Sequence, residues 1–374
     1  MGWKKILILL AVIAAIHVIV ITGFTGGCRS REAAAGKETG KGAAAEETVP
    51  GKGEDLISEK LAAWRERLPE QLRVLRPSAV RVPRLPAVRV TPVVPWKRPG
   101  NAALPKALSK QAERAKSVIV VDFGKRQVLW EKNSRQAVAV ASLTKLMSAV
   151  LIAEKLERDP KFNMDTKVPV TKAASSVERS RVLGLREGES YSVQDLLQAM
   201  MIGSYNDAAA QLAEAVGGSV ENFVKMMNDR AAAMRLDGAN FNSPNGLPQG
   251  KQRINSFASA SDILHLCEEL MRHKEVAAFC RMSHAKLESG REVWTSNNLM
   301  KAPSRGRAYR RQVPGLIGFK TGFTNAAGSC LAFGVEREGR VIIGCVTGFP
   351  SAADRDRFCN DVIEWAFASG RTGK

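Results

Sequence analysis

Residues 141–146 read ASLTKL, which places a hydroxyl on Ser142 and an amine on Lys145 at the head of an apolar run, SLTKLMSAVLIAEKLE. Leu143, Leu146, Met147, Val150 and Leu151 recur there at helical intervals, and neither Gly nor Pro interrupts them. On a helix, positions i and i+3 share a face about one turn apart, so the amine can reach the hydroxyl. Composition alone produces a Ser-x-x-Lys match roughly once in a chain of this length, and a second copy does occur at Ser283 and Lys286. Gly290 closes that copy, SHAKLESG, before a helix of useful length could form, so it reads as a decoy. Taken alone, the first copy suits an ordinary core helix with a serine in its first turn as well as it suits a reactive pair.

The 374 residues carry a formal net charge of +19, and the excess is concentrated at the front. Up to Lys110 there are 19 Lys and Arg against 9 Asp and Glu, whereas the much longer remainder has 37 against 28. The chain opens MGWKK and then runs without formal charge, His17 aside, from Ile6 to Phe24. Those 19 residues exceed a secretory signal core and reach about the minimum for a membrane span. Lys4 and Lys5 would stay cytoplasmic, so the rest of the chain is expected outside, in the cell envelope. FTGGCRS follows, with small residues before Cys28 as at a bacterial lipoprotein processing site, although Thr25 stands where such sites usually carry Leu. A lipidated Cys28 and an uncleaved helix would both tether the protein to a membrane.

Residues 29–53 are Ala, Gly, Glu and Lys, too poor in apolar groups to offset the entropy of ordering. A short amphipathic helix is expected at 54–67, and prolines at 77, 83, 86, 92, 95 and 99 then impose an extended, cationic spacer. Such a segment suits anionic envelope polymers or lipid head groups; its few aromatics and its place beyond the span exclude nucleic acid. Residues 1–28 are thus read as anchor or signal, 29–106 as linker and 107–370 as the folded domain. The six cysteines, at 28, 267, 280, 330, 345 and 359, form no C-x-x-C pair and have no adjacent His, so neither a metal nor a cofactor is implied. Cys330 and Cys345 flank a hairpin turning near Glu338 and Gly339 and can face one another across it, as a disulfide or as buried thiols.

From Ser117 the texture changes to strand, turn at 123–125, strand. The Ser142 helix and a mostly helical stretch to about Phe279 come next, then GLIGFKTG, the Glu338 hairpin and a last helix in AADRDRFCNDVIEWAFA. Strands at both ends around a helical middle imply one α+β domain, an antiparallel sheet flanked by helices. Between two helices lies GSYND, with Gly203 expected to end one and Asn206 or Asp207 to cap the next. Ser-x-Asn is common and recurs at Ser243–Asn245 and Ser296–Asn298. Lys320, Thr321 and Gly322 finish an apolar strand in FKTGFT.

Ser142/Lys145, Ser204/Asn206 and Lys320/Thr321/Gly322 occur in that order, and S-x-x-K, S-x-N and K-T-G together mark the penicillin-binding proteins and class A β-lactamases. Within that superfamily, ASLTKLMSA, the Tyr of SYN, LREGESYSVQDLLQAMMIGSYNDAAAQLAE, SPNGLP and GFKTGFTNAAGSCL resemble the D-alanyl-D-alanine carboxypeptidases, the low-molecular-mass penicillin-binding proteins. The resemblance covers about residues 107–370. Asn245 departs from it, because a His-like residue usually precedes Gly-Leu there. Many relatives also carry a C-terminal β domain and a terminal amphipathic anchor, which here is expected at the front instead.

The resemblance implies a β-lactamase/transpeptidase-like fold and a serine peptidase acting on peptidoglycan stem peptides ending in D-Ala-D-Ala, and acylated by β-lactam antibiotics. Ser142 would be the nucleophile. The histidines, at 17, 265, 273 and 284, lie outside the motifs, so the base would be Lys145 with its amine kept neutral by burial and by the charge of Lys320. Ser204 would relay a proton to the leaving amine, and Asn206 would orient Lys145 and the substrate amide. Lys320 and Thr321 would hold the terminal carboxylate, Gly322 would admit substrate backbone, and the N–H groups of Ser142 and Phe323 would hold the oxyanion. A β-lactamase, a D,D-endopeptidase of the same fold and a non-catalytic wall-binding protein are the alternatives. Against the first, Tyr205 stands where the lactamase pattern has Asp.

Overall fold

Three neighbouring strands that are apolar on both faces dictate a layered arrangement. The computed structural model describes residues 95–177, 180–301 and 312–369; the expected anchor, Cys28 and the linker up to residue 94 lie outside them. The main helices are α1 (Lys106–Ala112), α2 (Lys145–Arg158), α3 (Val193–Gln198), α4 (Asn206–Gly217), α5 (Val220–Ala233), α6 (Ala260–Arg272) and α7 (Ala352–Ser369). The long strands are β1 (Ser117–Asp122), β2 (Gln127–Lys132), β3 (Leu316–Thr324), β4 (Gly328–Arg337) and β5 (Arg340–Phe349). They form one antiparallel sheet in the order β2-β1-β5-β4-β3, in which Ser117 stands opposite Thr347. The α+β class expected from the sequence is what the chain adopts, with the two ends of the domain joined through β1 and β5.

Because side chains alternate across a strand, each of these strands feeds two cores. Val118 and Val120 of β1, Leu331, Phe333 and Val335 of β4 and Ile342 and Val346 of β5 pack with Leu108 of α1 and Phe358, Val362 and Ile363 of α7. Ile119, Val121, Ala332, Ile343 and Cys345 point the other way and pack with Leu146 and Val150 of α2, Leu212 of α4 and Ile263 and Leu266 of α6. Each Val, Leu, Ile or Phe side chain so taken out of water contributes roughly 1.5–3 kcal/mol. α6 starts on a capping box in which Ser259 and Asp262 satisfy each other's backbone N–H groups. Among the described residues no helix is long and apolar enough to cross a membrane.

Ordered packing begins before residue 107, where the sequence-based boundary falls too late. Trp96 is buried, with the Arg126 guanidinium 4.2 Å above its ring, and Lys97 N–H donates to Arg126 O at 2.8 Å while Val128 N–H donates to Lys97 O at 2.9 Å. Prolines forbid a helix there but allow an extended strip beside β2, and the indole supplies the apolar area that anchors it. Cys330 and Cys345 do not face one another either. A two-residue turn with Glu338 at φ 50 and Gly339 at φ 74 sets Arg337 opposite Arg340, which brings Ala332 opposite Cys345, while Cys330 lies opposite Gly322 on β3. Both are free, buried thiols, as are Cys267, Cys280 and Cys359.

Candidate active site

Ser142 sits in a 3₁₀ turn, Ala141–Thr144, that leads directly into α2, whose first residue is Lys145. Ala141 is left-handed at φ 48, so the chain enters the turn sharply. Lys145 is fully buried, and its Nζ lies 3.0 Å from Ser142 Oγ, 2.8 Å from Asn206 Oδ1 and 2.7 Å from Asn245 O. Two of these three partners are carbonyl oxygens, which can only accept. A neutral amine has two hydrogens and one lone pair, so donating to both carbonyls leaves the lone pair for the Ser142 hydroxyl. Burial, followed by the charges of Lys320 and Arg181, holds the Lys145 ammonium well below its usual range, against a smaller opposing pull from Asp207.

The SYN segment is positioned by an irregular helix end. α3 runs into a π turn, Ala199–Gly203, and Ser204 then takes a left-handed conformation at φ 63. Gly203 ends the helical run, as expected from the sequence, although it is not itself the left-handed residue. Nor does Asn206 or Asp207 cap α4: Tyr205 occupies that position with no side-chain bond. Asn206 instead spans two segments, accepting from Lys145 through Oδ1 and donating through Nδ2 to Ser180 O. Asp207 accepts from the N–H groups of Leu183, Gly184 and Leu185 at 2.9, 2.7 and 3.1 Å, fixing the loop that overlies the site. Ser204 Oγ makes no hydrogen bond among the described residues. Tertiary demand for these side chains outweighed the local capping preference.

β3 forms the opposite wall. It is the last strand of the sheet, so its outer edge has no strand partner among the described residues. Gly322 lies against the Ser142 turn: a Cβ there would stand 3.0 Å from Val140 O and 3.2 Å from Ser142 N. Lys320 is buried, donates to Thr321 O at 3.2 Å and has its ammonium pushed down to about 7 by burial, then by Arg181, with Arg355 adding to the effect. Thr321 Oγ1 meets Ser296 Oγ at 2.5 Å, and Phe323 is 63% exposed at the strand's end. Ser142, Lys145 and Asn206 are thus joined by direct hydrogen bonds, and Lys320 is close enough to Lys145 to depress its pKa. Lys286 ends a short strand, His284–Lys286, that pairs with Glu292–Trp294, and Ser283 directly precedes it, as their non-helical setting predicts.

A profile of the D-alanyl-D-alanine carboxypeptidases matches residues 105–350. The chain belongs to that family. It is 30% identical over 271 residues to the D-alanyl-D-alanine carboxypeptidase DacF of Bacillus subtilis, covering 71% of this chain and 66% of the relative. It is 29% identical over 262 residues to DacC of Escherichia coli, covering 68% and 61%. The chain spans just under two thirds of the length of these relatives. Among solved structures, the cefotaxime-bound penicillin-binding protein D2 of Listeria monocytogenes superposes with a TM-score of 0.59 at 26% identity, over 68% of this chain and 97% of that one. Carboxypeptidase-family membership and the penicillin-binding-protein fold are what the sequence motifs had implied.

Three contributors to the site escaped sequence reading. Asn245 O and Ser296 belong to two Ser-x-Asn repeats that look like noise, yet one accepts from Lys145 and the other contacts Thr321. Arg181, in an unremarkable polar stretch, acts on both active-site lysines. No sequence signal marks it. Elsewhere, ligand atoms of Glu154, Glu269 and His273 gather within 4.8 Å, but Arg230 already donates to Glu154 at 2.7 Å and Glu269 at 2.9 Å, so a cation is not called for.

Gly246 offers a sharp test of how the Ser142 turn is held. At φ 81, a Cβ on it would lie 2.0 Å from Ala141 O and 3.0 Å from Ser142 N. Gly246→Ala should cost about 2 kcal/mol or more of stability and slow penicillin acylation at least about tenfold, because a 1 Å displacement of a reacting group is that damaging. Thermal melting and acylation rates read the two effects. A variant with unchanged rates would mean that the turn does not depend on this contact.

Proposed function

We propose that this chain is a membrane-tethered serine D-Ala-D-Ala carboxypeptidase that removes the terminal D-Ala from peptidoglycan stem peptides on the extracytoplasmic side and is acylated by β-lactams. The observation that carries this reading is the buried Lys145 Nζ 3.0 Å from Ser142 Oγ, with two carbonyl oxygens, of Asn206 and Asn245, at 2.8 and 2.7 Å to accept from it. Lys145 Nζ takes the hydroxyl proton as Ser142 Oγ attacks the carbonyl carbon of the penultimate D-Ala. The resulting oxyanion is held by the N–H groups of Ser142 and Phe323. The C–N bond then breaks, and the proton passes from Lys145 through Ser204 to the departing D-Ala amine. Water enters, gives its proton back along the same route and releases the shortened peptide from Ser142. Lys320 and Thr321 hold the terminal carboxylate beside the free edge of β3.

Support for the tether comes from the apolar run Ile6–Phe24 after Lys4 and Lys5. The full chain, incubated with a muropeptide ending in D-Ala-D-Ala, should release D-Ala and be labelled by fluorescent penicillin. A chromogenic cephalosporin should give a stoichiometric burst with little turnover, because the Asp207 carboxylate beside the site is engaged by backbone N–H groups and cannot serve a deacylating water. Rapid turnover would instead make it a β-lactamase. Cleavage of cross-linked muropeptide dimers in place of D-Ala release would make it an endopeptidase.

The two lysines predict a bell-shaped pH profile. kcat/KM rises with pH as Lys145 loses its proton and falls as Lys320, at about 7 in the free enzyme, loses its own and with it the charge that binds a carboxylate. A bound carboxylate favours the Lys320 ammonium, so the alkaline limb of kcat should lie above that of kcat/KM. Coincident limbs would remove Lys320 from carboxylate binding.

A further inference from the structure

We propose that Arg181 determines specificity at this site by receiving a second carboxylate of the substrate, one carried on the acyl side of the scissile bond. The proposal rests on the carboxypeptidase reading for one step: when the leaving group is D-Ala alone, its only carboxylate is the terminal one, so any other must lie upstream. The structural case is independent of that step. Arg181 is exposed, yet its side chain is not loose: Nε donates to Gly203 O at 2.6 Å, and the guanidinium lies 5.8 Å from the centroid of the Tyr205 ring. Its backbone is strained at φ 55 and is held there by Asn206 N–H donating to Arg181 O at 2.9 Å. The same Asn206 accepts from Lys145, so the Arg181 backbone is tied to the residue that holds the Lys145 amine.

No carboxylate among the described residues bonds this guanidinium, which leaves its two terminal nitrogens available. The neighbouring charges are otherwise answered. Arg355 is paired with Asp356 at 2.6 Å, and Asp207 is consumed by backbone N–H groups. Among the described residues no acid forms an ion pair with Lys320 or Arg181, and Arg181 depresses the pKa of both buried lysines. Clamped, planar and unpaired, a guanidinium is preorganised for two parallel hydrogen bonds to a carboxylate.

Two acetylated tripeptides, acetyl-Glu-D-Ala-D-Ala and acetyl-Gln-D-Ala-D-Ala, test this with the full chain. The natural protein should prefer the Glu peptide by about tenfold in kcat/KM, equivalent to about 1.4 kcal/mol, and the preference should shrink as salt is raised. Arg181→Gln should bring the ratio to within about twofold and Arg181→Glu should invert it, while Arg181→Lys keeps part of it. Changes in the field at Lys145 move both peptides alike, so only the ratio is diagnostic. An equal ratio in the natural protein and Arg181→Gln, or no preference in the natural protein, overturns the proposal. Should neither peptide release D-Ala, the hydrolase reading fails separately, and competition of the two peptides against fluorescent-penicillin labelling still decides the role of Arg181.

Discussion

Ser142→Ala is expected to abolish D-Ala release and covalent labelling by fluorescent penicillin while leaving the fold intact. The hydroxyl contacts Lys145 Nζ at 3.0 Å and Asn245 O at 3.4 Å, and Lys145 keeps its two carbonyl partners without it, so little stability depends on Oγ. The chemistry depends on it entirely in this reading, because Ser142 Oγ is the hydroxyl that attacks, whereas Ser204, the other hydroxyl at the site, relays protons. Removing a serine nucleophile in other acyl-transfer enzymes costs on the order of 10⁶ in kcat. Labelling of the variant at the natural rate would place the acyl bond on another residue. D-Ala release without labelling would point to direct attack by water. Melting curves within a few degrees of the natural protein separate either result from misfolding.

Lys145→Met should lower the acylation rate by about 10²–10⁴-fold, the range usual for loss of a positioned base. Methionine nearly matches the volume of the lysine stem and carries no charge into a fully buried site. It leaves Asn206 Oδ1 and Asn245 O without their donor, a cost of roughly 1–3 kcal/mol for each group, partly offset because an amine is no longer buried. The pH profile is the more specific readout. With the amine gone, the acid limb assigned to Lys145 should disappear from the residual acylation. A variant that retains both the rate and the acid limb falsifies the assignment of the base, whatever its stability.

Local pairs were legible from sequence because backbone geometry alone enforces them. Three positions on a helical start bring Ser142 and Lys145 together wherever that segment is placed, and the unbroken apolar run in SVIVVD suits a strand buried on both faces. The N-cap expected of Asn206 or Asp207 was misjudged for the opposite reason. Capping preference is worth about 1 kcal/mol, and a side chain that can satisfy a buried amine or three loop N–H groups from other segments is worth more. The prolines around Trp96 were likewise read as linker, because extended backbone beside a strand and extended backbone in solvent have the same local signature.

By itself the sequence determined the α+β class, the family and the pairing of Ser142 with its neighbouring amine, since these follow from periodicity, spacing and a rare conjunction of short motifs. Only the tertiary structure decided the state of that amine. Its pKa is set by burial and then by the charges of Lys320 and Arg181, and its carbonyl partners lie 61 and 100 residues away along the chain. Dehydration and Coulombic repulsion act through space, and no pattern along a chain records which distant groups will share a buried volume.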